Sequence, residues 1–368
     1  MRPDSLQARR DCSSPSPRQR LGYELSCSKT MDIITSIERV RSGQNLSMHE
    51  MESVMDRIMA GLCDEDQIAA LLTALHEKGE TVEEVAGAAA AMRRQMTPIR
   101  SRHPGLLDTC GTGGDGSKTF NISTAAALVA AAAGVPVAKH GNRGMTSRSG
   151  SADALAALGV NIDADATCVE SCLDELGICF CFAPLLHKAM KHVSPVRKRL
   201  GTPTVFNILG PLVNPASAPF QLLGVGHAAL QPLMAQALLL LGTRRAVIVH
   251  AAHGLDEVSL AGPTHVIETS GGTLRHFDWM PDDFGLDPAG LESMLVSGPQ
   301  ESAKMIRDIL DNRPGPPRDI VVANAAAALW TAARDPSPKK CAQIAAETIA
   351  SGAARGLLSR LIEQTQPR

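Results

Sequence analysis

LLDTCGTGGDGSKTFNISTAAALVAAAAGVPVAKHGNR, residues 106–143, sets the architecture of this 368-residue chain. The apolar run Leu106–Thr109 reads as a strand. It breaks into a loop carrying Gly111, Gly113, Gly114 and Gly116, and Asn121-Ile-Ser-Thr124 then opens an Ala-rich helix over 123–133. A second apolar run, Val135–Lys139, follows at once. Strand, glycine loop, helix and strand in that order predict a parallel pair joined by a crossover helix. The rhythm continues with a helix over 151–158, a strand at Val160–Ile162, a helix over 167–176 and a buried strand at Ile178–Phe182. After residue 220 it resumes with Leu222–Val225, a helix over 228–241 and Ala246–His250. The fold class is therefore α/β, with a mostly parallel central sheet flanked by helices.

Upstream, residues 31–103 carry only the helical period. Ile33, Ile34, Ile37 and Val40 share one face, and Val54, Met55, Ile58, Met59 and Leu62 make a second stripe. Asp64 caps a helix bearing Ile68, Leu71, Leu72 and Leu75, and Thr81 with Glu84 opens a fourth. The reading is a small α-helical domain over 31–103 followed by a larger α/β domain over 104–368. Leu185–Leu200 reads as a basic helix, with Lys188, Lys191, Arg197, Lys198 and Arg199. Residues of about 185–205 are expected to complete the helical domain. Residues 1–30 stand apart: Pro3, Pro15, Pro17 and six basic residues against three acidic ones show no apolar period. They read as a disordered leader or a mis-called start, since Met31 opens directly onto a helix. A basic targeting segment is the alternative, weakened by Asp4, Asp11 and Glu24.

Lys plus Arg number 36 and Asp plus Glu 38, so the net charge of -2 lacks the basic excess of a dedicated nucleic-acid binder. Seven Phe, one Tyr and two Trp are too few rings for base-stacking platforms and imply an aliphatic core. Ile122–Ala138 and Leu222–Leu241 are interrupted by proline and polar residues and do not read as membrane spans. A soluble, cytoplasmic protein is expected. Nine cysteines without a regular framework fit a reduced setting. Cys168, Cys172, Cys179 and Cys181 match no common zinc spacing, and Cys179 and Cys181 read as core.

Three segments carry chemistry. The glycine loop lets backbone N–H groups approach a phosphate, and the helix start at Asn121–Thr124 is expected to add unpaired N–H donors and the Ser123 and Thr124 hydroxyls. The string is neither GxGxxG nor a Walker A motif. Lys139-His-Gly-Asn-Arg143 ends the next strand, where open α/β sheets bind ligands, and Met145-Thr-Ser-Arg-Ser-Gly-Ser151 adds a hydroxyl-rich loop. Gly254-Leu-Asp-Glu-Val-Ser259 places paired carboxylates after a third strand, a donor set suited to Mg²⁺ with phosphates and water. Together they suggest a Mg²⁺-bound phosphorylated substrate.

GTGGD, NIST, KHGNR, SGSAD (149–153), FNILGPLVNP (206–215) and GLDEVS, in this order, resemble the anthranilate phosphoribosyltransferase family, whose fold is shared with pyrimidine nucleoside phosphorylases. The resemblance spans Met31 to the C-terminus. It implies transfer of phosphoribosyl from phosphoribosyl pyrophosphate to the amine of anthranilate, in tryptophan biosynthesis, by a Mg²⁺-dependent homodimer. A nucleoside phosphorylase of the same fold is the alternative, disfavoured because those enzymes lack KHGNR with LDEVS. Carried onto this chain, the resemblance assigns phosphoribosyl pyrophosphate to Gly111, Gly114, Asp115, Thr119, Asn121, Ile122, Ser123 and Thr124. Lys139, His140, Gly141, Asn142, Arg143, Gly144, Met145, Thr146, Ser147 and Ser151 complete that site. Anthranilate falls to Gly111, Asn142, Arg197, His140 and His187, and Mg²⁺ to Ser123, Asp256 and Glu257. No catalytic nucleophile is implied. Pro203, where many members have Arg, and Arg148, where Lys is usual, depart from the pattern.

Overall fold

The computed structural model describes residues 32–144 and 149–367. The leader at 1–30 and the segment 145–148, which carries Met145, Thr146, Ser147 and Arg148, lie outside the described residues. The first elements are helices: α1 (Ile33–Arg41), α2 (Met48–Met59), α3 (Glu65–Lys78) and α4 (Val82–Gln95). Capping boxes start three of them, Ser47 with Glu50, Asp64 with Gln67 and Thr81 with Glu84. Glu84 is fully buried and also takes the Lys78 ammonium at 2.9 Å and the Leu46 N–H at 2.9 Å, so one carboxylate ties three helix ends together. Two expectations fail here. Ile34 is 52% exposed because α1 buries Ile33, Ser36, Ile37 and Val40 instead. Leu62 is 65% exposed because α2 has already ended and Gly61 turns the chain away.

The sheet follows. Its elements in order are β1 (Leu107–Gly111), α5 (Ile122–Ala132), β2 (Val137–Gly141), α6 (Ser151–Leu158), α7 (Ala166–Leu176), β3 (Ile178–Phe182), α8 (Ala183–Leu186), α9 (Ser194–Leu200) and α10 (Phe206–Leu209). Then come β4 (Phe220–Gly224), α11 (Leu230–Leu240), β5 (Arg245–Ala251), β6 (Thr264–Ser270), β7 (Thr273–Trp279), α12 (Pro299–Leu310), α13 (Pro316–Thr331), α14 (Pro338–Ala350) and α15 (Ala353–Thr365). The seven strands lie in the order β3-β2-β1-β4-β5-β6-β7. β1 to β5 are parallel and β6 and β7 pair antiparallel. The fold is thus an N-terminal helical bundle with an α/β domain built on a mostly parallel sheet. Strand order reverses between β1 and β4, which makes a topological switch point there.

Two segments differ from the sequence reading. Val160–Ile162 is no strand: Val160 N–H donates to Leu155 O to close α6, and Asn161 bonds Thr365, so these residues join α6 to α15 while β3 keeps the sheet edge. Leu185–Leu200 is not one helix but α8, a tight 3-10 turn at Lys188–His192 and α9, because His187 leaves helical geometry and Pro195 starts a new helix.

Alternate strand residues face opposite layers. Leu222, Val247 and Val249 pack with α5, α6, α13 and α15, whereas Leu223, Ala246 and Ile248 pack with α11 and the N-terminal helices. Val193, Val196, Val205 and Phe206 join that second cluster. Ala-rich α5 and α13 approach closely, as small side chains allow, and several of the few rings gather where β7 meets the C-terminal end of α13: Phe277, Trp279, Phe284 and Trp330 meet edge to face. Cys179 and Cys181 are buried in β3. Among the described residues no helix is long and apolar enough to cross a membrane.

Candidate active site

The carboxyl ends of β1, β2, β4 and β5 open onto the switch point. In the β1–β4 register Gly111 faces Gly224, and both lie against the connection after β5 that carries Asp256 and Glu257. A Cβ on Gly111 would stand 2.6 Å from Asp256 Oδ2, and one on Gly224 would collide with the Asp256 carbonyl. The glycines therefore let three chain segments touch. Beyond Gly111, Gly113 and Gly114 take positive φ, which curls the loop over Asp256, and Gly113 N–H donates to Asp256 Oδ2 at 3.1 Å.

The electrostatics are crowded. Burial and then the neighbouring Asp115 push the Asp256 carboxyl up to about 7. Burial and the Asp256 charge push Glu257 well up, opposed by Lys139 and the Ser123 N–H, which reaches Glu257 Oε1 at 2.9 Å. Lys139 is buried; its ammonium donates to Thr109 O and to Ser123 Oγ, the latter at 3.2 Å. Lys139 also faces the buried Asp108, so the carboxylates gathered here outnumber the one ammonium. Yet no group of three His, Cys, Asp or Glu among the described residues could hold a metal alone. That donor set fits Mg²⁺, which takes one or two carboxylates and completes its shell with phosphates and water.

A second cluster lies at the end of β2. His140 Nδ1 donates to Gly210 O at 3.1 Å, and the Nε2 atoms of His140 and His187 face each other at 3.2 Å. Burial lowers His140 to about 3 and His187 to about 4, so both rings are neutral at physiological pH. The segment 206–215 that supplies Gly210 also holds Arg197: its guanidinium donates to Asn207 Oδ1 at 3.3 Å and lies 5.7 Å over the Phe206 ring. Around β2, Asn142 O accepts from Ala152 N–H and Ser151 Oγ, and Arg143 pairs with Asp153 at 3.0 Å. Asp153 also holds the Gly144 and Gly150 N–H groups. Pro203 lies exposed between α9 and α10, and nothing in the structure explains its choice.

One expectation is corrected. The start of α5 presents no free amides: Ile122 N–H goes to Phe120 O, Ser123 to Glu257, Thr124 to Asn121 O and Asn121 to Ser302 Oγ. The turn at Asn121, with ψ near 78°, brings those carbonyls within reach. One hydroxyl there is left over: Thr124 Oγ1 is buried without a hydrogen-bond partner among the described residues. Ser117 and Thr119 hydroxyls meet at 3.1 Å on the loop rim. Sequence reasoning assigned no role to Asp108, although a charged residue inside an apolar strand was the available signal. It is buried, receives His140 N–H at 3.1 Å and Gln221 Nε2 at 3.5 Å, and fixes β2 against β1 and β4.

Both parts of the chain have matches among known proteins. Residues 34–96 match the helical bundle domain and residues 103–355 the a/b domain of the glycosyl transferase family. An anthranilate phosphoribosyltransferase of Rhodopirellula baltica is 48% identical over 338 residues, covering 92% of this chain and 99% of the relative. The crystal structure of the Thermus thermophilus anthranilate phosphoribosyltransferase superposes with a TM-score of 0.85 at 43% identity, over 90% of this chain and 99% of that one. The Saccharomyces cerevisiae enzyme in complex with PRPP and Mg has a TM-score of 0.83 at 32% identity, over 90% and 97%; it is also known with 4-fluoroanthranilate. With both domains matched in order and near full-length likeness in sequence and structure, this chain belongs to the anthranilate phosphoribosyltransferase family.

Proposed function

We propose that the chain transfers the phosphoribosyl group of phosphoribosyl pyrophosphate to the amine of anthranilate, giving N-(5-phosphoribosyl)anthranilate and pyrophosphate in tryptophan biosynthesis. The observation that carries this reading is the meeting of a glycine loop, a buried lysine and crowded carboxylates at one switch point. The C1–O bond to pyrophosphate breaks, the C1–N bond forms and the amine loses a proton. Charge develops on the leaving group and oxocarbenium character at C1, so positioning and electrostatics do the work and no covalent nucleophile is needed.

On this reading Gly111, Gly114, Asp115, Thr119 and the hydroxyls at Ser123 and Thr124 cradle phosphoribosyl pyrophosphate, with Lys139, Asn142 and Ser151 across the crevice. Asp256, Glu257 and Ser123 hold Mg²⁺, which when bound offsets pyrophosphate charge. Arg197 takes the anthranilate carboxylate, because its fork binds both oxygens. Neutral His140 and His187 line that side of the pocket, leaving the carboxylate charge to Arg197. The helical domain at 31–103, completed by about 185–205, and the α/β domain at 104–368 close over the two substrates in a cytoplasmic homodimer. The test is to supply anthranilate with phosphoribosyl pyrophosphate in one reaction and a pyrimidine nucleoside with phosphate in another. Turnover of the first pair is expected; turnover of the second alone overturns the reading.

A further inference from the structure

A segment far along the chain grips the phosphate loop from outside. Between β7 and α12, residues 294–296 run against residues 118–120: Phe120 N–H donates to Met294 O at 2.9 Å, Val296 N–H donates to Lys118 O at 3.0 Å, and Thr119 bridges Leu295 antiparallel. The strap ends at Ser302 in the first turn of α12, which is fully buried. Its hydroxyl accepts from Asn121 N–H at 3.0 Å and donates to Asn121 Oδ1 at 2.8 Å. Asn121 Oδ1 accepts a second hydroxyl, from Ser149 at 2.8 Å, and Asn121 Nδ2 donates to Ser149 O at 3.1 Å. Both acceptor positions of that amide and one of its two donors are therefore spent on protein contacts.

We propose that Ser302 is a positioning residue for phosphoribosyl pyrophosphate: acting through Asn121, it sets the start of α5 and Ser149, at the lead-in to α6, in one fixed relation. The inference rests on the reading of these two segments as the phosphate-binding walls. Ser302 touches no reacting atom. A hydroxyl is suited to the task because it donates and accepts at once, satisfying the Asn121 amide and side chain together. With Ala there, the Asn121 N–H loses its partner and the half-buried side chain is held by Ser149 alone, no longer tied to α12. The two walls then lose their common reference, and displacements of order 1 Å are enough to cost a site much of its affinity.

Ser302→Ala and Ser302→Cys test this beside wild type, by steady-state kinetics and by calorimetric titration of phosphoribosyl pyrophosphate in Mg²⁺ buffer. Ser302→Ala is expected to raise both Kd and KM for phosphoribosyl pyrophosphate about tenfold while KM for anthranilate moves less than about twofold. Ser302→Cys nearly keeps the volume and retains a weak donor, so it folds and falls between the two. Thr331→Val removes another fully buried hydroxyl, one that bonds Ala327 O in α13, and is expected to leave both KM values unchanged. Wild-type Kd and KM in both Ser302 variants overturn the proposal. So does a parallel rise of both KM values that also appears in Thr331→Val. If wild type itself neither binds nor turns over phosphoribosyl pyrophosphate, the functional reading falls first and this one with it.

Discussion

Asp256 and Glu257 sit where the connection after β5 meets the glycine loop, both pushed up by burial first and by neighbouring carboxylates next, and the proposed reading gives them the cation. Asp256→Asn with Glu257→Gln removes that charge but keeps the carbonyl oxygens that accept from Gly113 and Ser123. Turnover is expected to fall at least about a hundredfold, while thermal unfolding stays at or above the wild-type midpoint. Activity near wild type refutes the metal assignment. If Arg197 takes the substrate carboxylate as proposed, Arg197→Ala raises KM for anthranilate about ten- to a hundredfold and barely changes KM for phosphoribosyl pyrophosphate. An equal rise in both counts against the role. The His140–His187 pair affects stability rather than charge. Both rings titrate below their unfolded value of 6.5, at about 3 and about 4. As pH falls below 6.5 the unfolded chain gains protons that the folded rings refuse. Stability is then complete above that pH and drops toward pH 4, by up to about 1.4 kcal/mol per pH unit for each ring. Urea unfolding at several pH values shows this, and His187→Asn flattens the slope; an unchanged slope contradicts it.

Among the elements, two glycines in helices give opposite predictions for one substitution. Gly87 in α4 lies against α2, where a Cβ would collide with the Met48 carbonyl. Backbone cannot step aside cheaply, so Gly87→Ala costs about 1–3 kcal/mol despite the roughly 1 kcal/mol that Ala gains in helix propensity. Gly356 in α15 is exposed, and a Cβ there meets nothing within 4 Å. Gly356→Ala therefore stabilises by about 0.4–1 kcal/mol. Denaturant titrations of the two variants check both signs, and equal shifts sink the packing argument. The elements around the glycine loop were legible because each is a local pattern: β1, α5 and β2 announce themselves by an apolar run, a glycine cluster and an alanine stretch. The β6–β7 hairpin was not read, since Leu274 is 36% exposed and most of β7 faces solvent, so apolar alternation is weak. Val160 and Ile162 are buried like strand residues yet serve a turn, because burial alone does not specify pairing.

For the whole molecule, the site is assembled from distant parts of the chain, and this limited what local patterns reveal. Lys139, Asp256 and Glu257 could be gathered by the rule that ligands meet strand ends. The grip of Ser302 on Asn121 spans 181 residues and leaves no local mark. The engagement of the α5 amides likewise depends on Glu257, 134 residues beyond Ser123. The scarcity of rings now has a place: the strand-end crevice is built from glycines, hydroxyls and charged groups, while Phe277 and Trp279 of β7 meet Trp330 of α13. The most direct test of the central claim follows the fluorescence of anthranilate mixed with phosphoribosyl pyrophosphate and this protein, with Mg²⁺ and with chelator. The account predicts steady loss of anthranilate signal with pyrophosphate release when Mg²⁺ is present, and none with chelator; unchanged anthranilate in the presence of Mg²⁺ would contradict it.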